Sequence, residues 1–316
     1  MSAKVQVYMT ALGYHLGDSC PISEIKELTI KPEEEILETL LEVGLENYAK
    51  TRLSPLEIAK KSIEITLNKA SIKSGDIDAL VYVTSSFWNP SFSSTKEISR
   101  LIYEVDLNNA YPVGVFFSEC SSMLTAIRIA SNFIKAGEWK NVLVVSSDTI
   151  SDNDTRIIPP NTSISSDAAA SCILTSEREE GFEVLYTTQQ IDTAMPDIFT
   201  LEDMEEIEQY LKASDQGMKE ILDKTMKDMR MNPKDFQKII TMNLNSSVSQ
   251  TVCKYLDVEI EKIFQDNIPR FAHALASDIL INLCDFSSNY ATESGNFLLL
   301  MAMGTNTWGT SVLCKV

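Results

Sequence analysis

Short runs of unbroken apolar residues alternate with helical patterns along almost the whole chain, and this alternation limits the possible folds more than any other feature. Residues 79–84 (ALVYVT), 114–118 and 141–146 read as strands buried on both faces, as in a parallel sheet covered by helices. Ser54-Pro55 opens a helix, with Ser as cap and Pro in the first turn. Leu56, Ala59, Ile63, Leu67 and Ala70 then share one face. Ser94-Thr95-Lys96-Glu97 has capping-box spacing ahead of Ile98, Leu101 and Ile102. A third helix is expected over 120–136, stopped by Gly137. The second half repeats the grammar: strands at 182–188, 238–242, 296–303 and 310–315, and helices at 201–229, 247–256 and 274–285. The pattern predicts α/β layers and two similar halves, residues 1–175 and 176–316, related by an internal duplication. The acidic clusters Glu33-Glu34-Glu35 and 202–208 read as solvated helix faces.

The chain has 316 residues, enough for a large core, and its 44% hydrophobic and 23% charged content excludes wholesale disorder. With 27 Lys+Arg against 45 Asp+Glu the net charge is −18. That balance excludes nucleic acid and anionic membrane as partners, because both require a basic surface. The strongest apolar run, 297–303, is too short for a membrane helix, and the N-terminus has no signal-peptide pattern. The six cysteines are far apart and form no C-x-x-C pair, so a reducing cytoplasm is the expected location. There is no P-loop, dinucleotide fingerprint or metal-ligand cluster, and no cofactor or metal is expected. His15 and His273 are the only histidines, so any imidazole chemistry has a short candidate list.

Cys120 stands out within Val115-Phe116-Phe117-Ser118-Glu119-Cys120-Ser121-Ser122-Met123, where a buried strand runs into a helix. A helix N-terminus offers unpaired N–H groups and a positive dipole end, which lower a thiol pKa and can hold an oxyanion. The same residue also fits a buried structural cysteine. The other five cysteines lack this setting and read as structural.

At this point the chain resembles a known family, the β-ketoacyl-acyl carrier protein synthase III group of the thiolase fold. The resemblance rests on Leu56-Glu57-Ile58-Ala59, on Ser74-Gly75-Asp76-Ile77-Asp78-Ala79-Leu80-Val81 and on Cys120, which falls where that family has its nucleophile. It continues through 137–148 and through Ser165-Ser166-Asp167-Ala168-Ala169-Ala170, which stands where the family shows G-D-G-A. It ends in Gly304-Thr305-Asn306-Thr307-Trp308-Gly309, similar to the family's closing T-W-G strands. The resemblance implies a homodimer with a layered α-β-α-β-α core and an acyl-Cys120 intermediate. An acyl carrier protein or acyl-CoA would be the donor.

Two departures redirect the chemistry. Decarboxylating members carry H-Q-A-N after the strand matched by 238–242, but here the residues are Thr241-Met242-Asn243-Leu244-Asn245. Methionine cannot stabilise the enolate left by CO2 loss. The N-T-S segment is replaced by His273-Ala274-Leu275-Ala276-Ser277-Asp278. This resembles the H-x-x-x-x-D segment of synthase III-like acyltransferases from polyketide assembly, in which Asn243 also matches. The resemblance gives Cys120 as nucleophile, His273 as base, Asp278 as its orienting acid and Asn243 as an amide donor to an oxyanion. Five residues on a regular helix are about 140° apart, so His273 and Asp278 meet only if His273 lies in a loop before the helix. Pro269 makes such a loop plausible. His15, placed in an N-terminal turn, reads as structural.

The family's C-terminal turn is richer in glycine than Met303-Gly304-Thr305-Asn306. The Cys120 N–H and the Gly304 region are carried over as oxyanion donors. The loop Thr84-Ser85-Ser86-Phe87-Trp88-Asn89-Pro90-Ser91-Phe92 corresponds to one that crosses the dimer interface, so Phe87, Trp88 and Phe92 are expected to shape the acyl pocket or to pack at the interface. An acidic carrier needs local positive charge, and Lys219, Lys224, Lys227, Arg230, Lys234 and Lys238 form the densest basic stretch. The expected function is acyl transfer to a hydroxyl, an amine or a second carrier. A condensing enzyme with a remodelled His/Asn pair and a non-catalytic partner subunit are the alternatives.

Overall fold

The computed structural model describes residues 5–29, 34–85, 94–196, 198–201 and 203–316. Among the described residues, ten strands form one sheet. They are β1 (Tyr8–Leu16), β2 (Ala79–Val83), β3 (Tyr111–Val115), β4 (Asn141–Asp148), β5 (Ala168–Thr175), β6 (Phe182–Ile191), β7 (Phe236–Ile240), β8 (Ile263–Phe264), β9 (Phe297–Met303) and β10 (Thr307–Lys315). Their spatial order is β3-β2-β4-β5-β1-β6-β10-β9-β7-β8. The order is a palindrome. Each half sheet places its first strand at the centre of the molecule and its third at the outer edge. Within each half the second strand is parallel to the third and fourth. The fifth strand is antiparallel to the fourth and the first. The halves join where β1 and β6 pair at Tyr8↔Glu183 and Met9↔Phe182.

Six longer helices cover these strands: α1 (Pro55–Lys69), α2 (Ser94–Glu104), α3 (Ser122–Ala136), α4 (Met204–Met229), α5 (Ser246–Leu256) and α6 (Asp278–Asn289). Strand alternation sorts side chains into layers. Ala79, Val81, Val83, Val142, Val144, Leu298 and Leu300 point inward to the central helices α3 and α6. Leu80, Tyr82, Leu143 and Val145 point outward to α1 and α2. Leu299 and Met301 meet α4 and α5 on the other outer face. The chain therefore has the layered α/β thiolase fold. Ser54 caps α1 in a full capping box with Glu57, and Gly137 ends α3. No helix among the described residues is long and apolar enough to cross a membrane.

Several expected boundaries move. His15 lies in strand β1, not in a turn. The strand expected at 114–118 is Tyr111–Val115, because Phe116–Ser118 belong to a turn that leads to Glu119, at φ 47. That turn runs through a single 3-10 turn, Glu119–Ser121, so α3 begins at Ser122 rather than at Cys120. Strand β7 sits two residues earlier than expected, leaving Thr241 to Asn245 as a loop. The last helix begins at Asp278, since Ala272 (φ 54) and Leu275 (φ 52) break regular helix before it.

Candidate active site

The 3-10 turn holds Cys120 at the N-terminal end of α3, and the loop before α6 brings His273 to it. His273 Nε2 is 3.3 Å from Cys120 Sγ, and His273 Nδ1 is 2.5 Å from Asp278 Oδ2. The loop placement that the H-x-x-x-x-D spacing demands is the one adopted. Backbone bonds fix it: His273 N–H donates to the Ile164 carbonyl (3.0 Å) and its own carbonyl accepts from Ser166 N–H (2.8 Å). The Ser166 hydroxyl donates to the Phe271 carbonyl. The Ser165-Ser166-Asp167 segment thus braces the histidine loop. Asp167 is buried and receives both Nη atoms of Arg156 at 3.0 Å, together with the N–H groups of Thr51 and Ile150. Glu119, Ala272 and Leu275 all have positive φ and flank the reacting pair, which is where backbone strain tends to be stored.

Asp278 is fully buried and surrounded by donors. Its Oδ1 accepts from Ala274 N–H (2.7 Å) and Asn243 Nδ2 (3.3 Å), and Oδ2 accepts from Asn243 N–H (2.8 Å). Three such bonds hold the carboxylate in place against the His273 ring. Burial works against a charged His273, but the Asp278 carboxylate and the Cys120 sulfur outweigh it and raise the imidazole pKa to about 10. The pair therefore favours a proton on His273 beside the sulfur. Burial pushes the Cys172 thiol up to about 12 and raises Cys253, Cys284 and Cys314 as well.

A cavity of about 640 Å³ opens onto Cys120 and His273. Its wall is mostly apolar, including Phe116, Ile158, Leu211, Met218, Leu244 and Val248, with Glu119 and Asp215 as its acids. Met242 lines the same wall, and its sulfur accepts the Met303 N–H at 3.1 Å. A thioether thus occupies the segment where a condensing enzyme would show its histidine.

Not every expected donor faces the sulfur. The Asn243 side chain turns to Asp278 and Asn282, so its amide supports the acid and is not aimed at an oxyanion on Cys120. The Gly304 N–H, expected as the second oxyanion donor, is engaged by the Thr307 carbonyl at 2.7 Å, because the β9–β10 hairpin closes there. Gly304 has a steric role instead. A Cβ on it would lie 2.8 Å from the Ser118 carbonyl and 3.2 Å from Glu119, in the turn that carries Cys120. Phe87, Trp88 and Phe92 lie outside the described residues. In the basic stretch, Lys224 is engaged by Thr188 and Asp228, and Lys238 by the Glu261 carbonyl.

Sequence reasoning missed the brace on the nucleophile turn. The Glu119 carboxylate accepts the Thr305 N–H (2.7 Å) and the Thr305 hydroxyl, tying that turn to the β9–β10 hairpin. An acid directly before the candidate nucleophile was the available signal. Asn267, Asn282 and Asp285 were also missed, and isolated amides carry no spacing signal.

Comparison with known proteins agrees with this fold. The chain matches the 3-oxoacyl-[acyl-carrier-protein] synthase III family over residues 117–193 and its C-terminal part over 226–315. The chain belongs to this synthase III-like family of condensing and acyl-transferring enzymes. Among its relatives, the beta-ketoacyl-[acyl-carrier-protein] synthase III of Aquifex aeolicus is 23% identical over 300 residues, covering 92% of this chain and 87% of its own. The solved structure of the Aquifex aeolicus synthase III superposes with a TM-score of 0.80 at 18% identity, covering 98% of this chain and 99% of its own. ChlB3, described as an acyltransferase, superposes at 0.81 with 17% identity, covering 98% of both chains.

Proposed function

We propose that this chain is an acyltransferase. It takes an acyl group from an acyl carrier protein or CoA thioester onto Cys120 and passes it to a hydroxyl, an amine or a second carrier, in polyketide or related secondary metabolism. The observation that carries the reading is the Cys120–His273–Asp278 relay, at 3.3 and 2.5 Å, with Met242 and no second imidazole beside it. In the first half-reaction the sulfur attacks the thioester carbonyl while His273 holds the thiol proton; the donor's carbon–sulfur bond breaks and its thiolate leaves with that proton. Acylation removes the negative charge on sulfur, one of the causes that raise the His273 pKa. The imidazole then gives up its proton more readily and accepts one from the incoming hydroxyl or amine. No carbanion forms in this sequence. The mostly apolar cavity suits an apolar acyl chain.

The reading includes a homodimer. Its support is β3, the outer edge of the sheet, where Tyr111 is 69% exposed, with Phe117 just beyond it 75% exposed. It also includes a duplicated origin for the halves 1–175 and 176–316, and a cytoplasmic setting in keeping with six unpaired cysteines. A second reading, decarboxylating condensation, draws on the synthase III names of the relatives. Incubation with malonyl-CoA beside an acyl-CoA separates the two. Acyl adduct on Cys120 without CO2 release is expected, and CO2 release coupled to carbon–carbon bond formation would overturn the reading.

A further inference from the structure

Behind the relay lies a ladder of buried amides. Asn243, Asn267 and Asn282 are at most 2% exposed. Asn243 and Asn282 form a reciprocal amide pair: Asn282 Nδ2 donates to Asn243 Oδ1 (2.8 Å) and Asn243 Nδ2 to Asn282 Oδ1 (3.2 Å). Such a pair is stable in either sense, and something outside it must choose. The Thr241 backbone carbonyl can only accept, and it takes the second Asn282 N–H at 2.8 Å. That contact points the Asn282 NH2 toward Thr241, and at the other end of the pair the Asp278 carboxylate, also an acceptor only, takes the Asn243 NH2. Asn267 adds a donor to Asn282 Oδ1 (2.8 Å) and continues to Asp285, where Arg270 and Tyr14 close the chain (2.5 and 2.7 Å). Reversal would turn Asn243 Oδ1 onto the Asp278 carboxylate, acceptor against acceptor.

We propose that Asn282 is a positioning residue for the relay: it anchors the Asn243 side-chain oxygen and so holds the Asn243 amide where its NH2 stays a donor to Asp278. This rests on the acyl-transfer reading above. Donors on Asp278 weaken its pull on the shared proton, so that His273 can release it in the acyl-enzyme. Without the Asn243 donor, Asp278 and His273 together hold protons more tightly, and the base form of His273 appears only at higher pH. The groups facing the pair are Cys120 from the nucleophile turn and the Asn243 amide from the β7–α5 loop. Asp285, Arg270 and Tyr14 act only through the ladder.

The test is hydrolysis of an acetyl-Cys120 enzyme, formed with p-nitrophenyl acetate and followed by intact mass from pH 5 to 9. Water attacks the thioester carbonyl, the carbon–sulfur bond breaks and the proton passes through His273. In Asn282→Leu the acid limb should move up by about one unit, making hydrolysis roughly tenfold slower on that limb. Asn243→Ala should show the same shift and add nothing to Asn282→Leu in the double variant; if Asn282→Leu fails to fold, the shorter Asn282→Ala takes its place with the same shift expected. Asn267→Ala leaves the Thr241 contact intact and should not shift the limb. An unshifted limb in folded Asn282→Leu, or in Asn243→Ala, overturns the proposal. Absence of any acetyl-enzyme in the wild type instead overturns the acyl-transfer reading.

Discussion

Cys120 and His273 are 153 residues apart in sequence and in contact in the folded chain. With only two histidines present, their environments can be read one by one. His15 is shifted down, chiefly by burial and then by Lys61, whereas His273 is shifted up. The linkage signs are therefore opposite. His273 contributes stability that is full below its ordinary value of 6.5 and is lost as pH rises toward about 10. His15 contributes above 6.5 and loses stability as pH falls. Imidazole NMR should show one ring titrating below 6.5 and another still protonated at pH 8, the latter disappearing in His273→Ala. Two rings titrating together near 6.5 would contradict the relay.

At the level of elements, strands and helices with strong apolar periodicity were legible from sequence, and their neighbours were not. Strand β1 was missed because its burial is irregular, with a register shift between Thr10 and Gly13. Strand β5 opens on three alanines, Ser171 and Cys172, which carry little strand signal before Ile173 and Leu174, and tertiary pairing on both edges makes it a strand. The start of α6 was misplaced because Ala274-Leu275-Ala276 favours helix locally, while the His273 bonds to Ile164 and Ser166 hold the loop open. The candidate nucleophile and the His/Asp segment stood out in the sequence through the family resemblance, which rests on the order and spacing of several short motifs. The amide ladder was not, because its members meet only through the fold. Helix α4 offers a test of packing against propensity. Gly217 lies within it, where alanine would gain up to about 1 kcal/mol. A Cβ there would sit 2.3 Å from the buried Trp308 ring, and overpacking costs about 1–3 kcal/mol. Gly217→Ala should therefore lower the urea midpoint, and an unchanged or higher midpoint would contradict this packing.

In the whole molecule, the palindromic sheet explains why the site lies where it does. The central helices α3 and α6 are equivalent members of the two halves, each following its half's third strand. One half delivers Cys120 ahead of α3, and the other delivers His273 and Asp278 at the start of α6. The chain carries a net charge of −18, so an acidic carrier, the donor proposed above, would need a local patch of positive charge to dock. The central claim is that an acyl group passes over Cys120 with His273 as the proton carrier. Intact-mass spectrometry after incubation with acyl-CoA and acyl-carrier thioesters tests it most directly. Wild type should gain one acyl mass, Cys120→Ala none, and His273→Ala at most a slow adduct that it does not pass on. An adduct persisting in Cys120→Ala, or wild-type turnover in His273→Ala, would contradict the account.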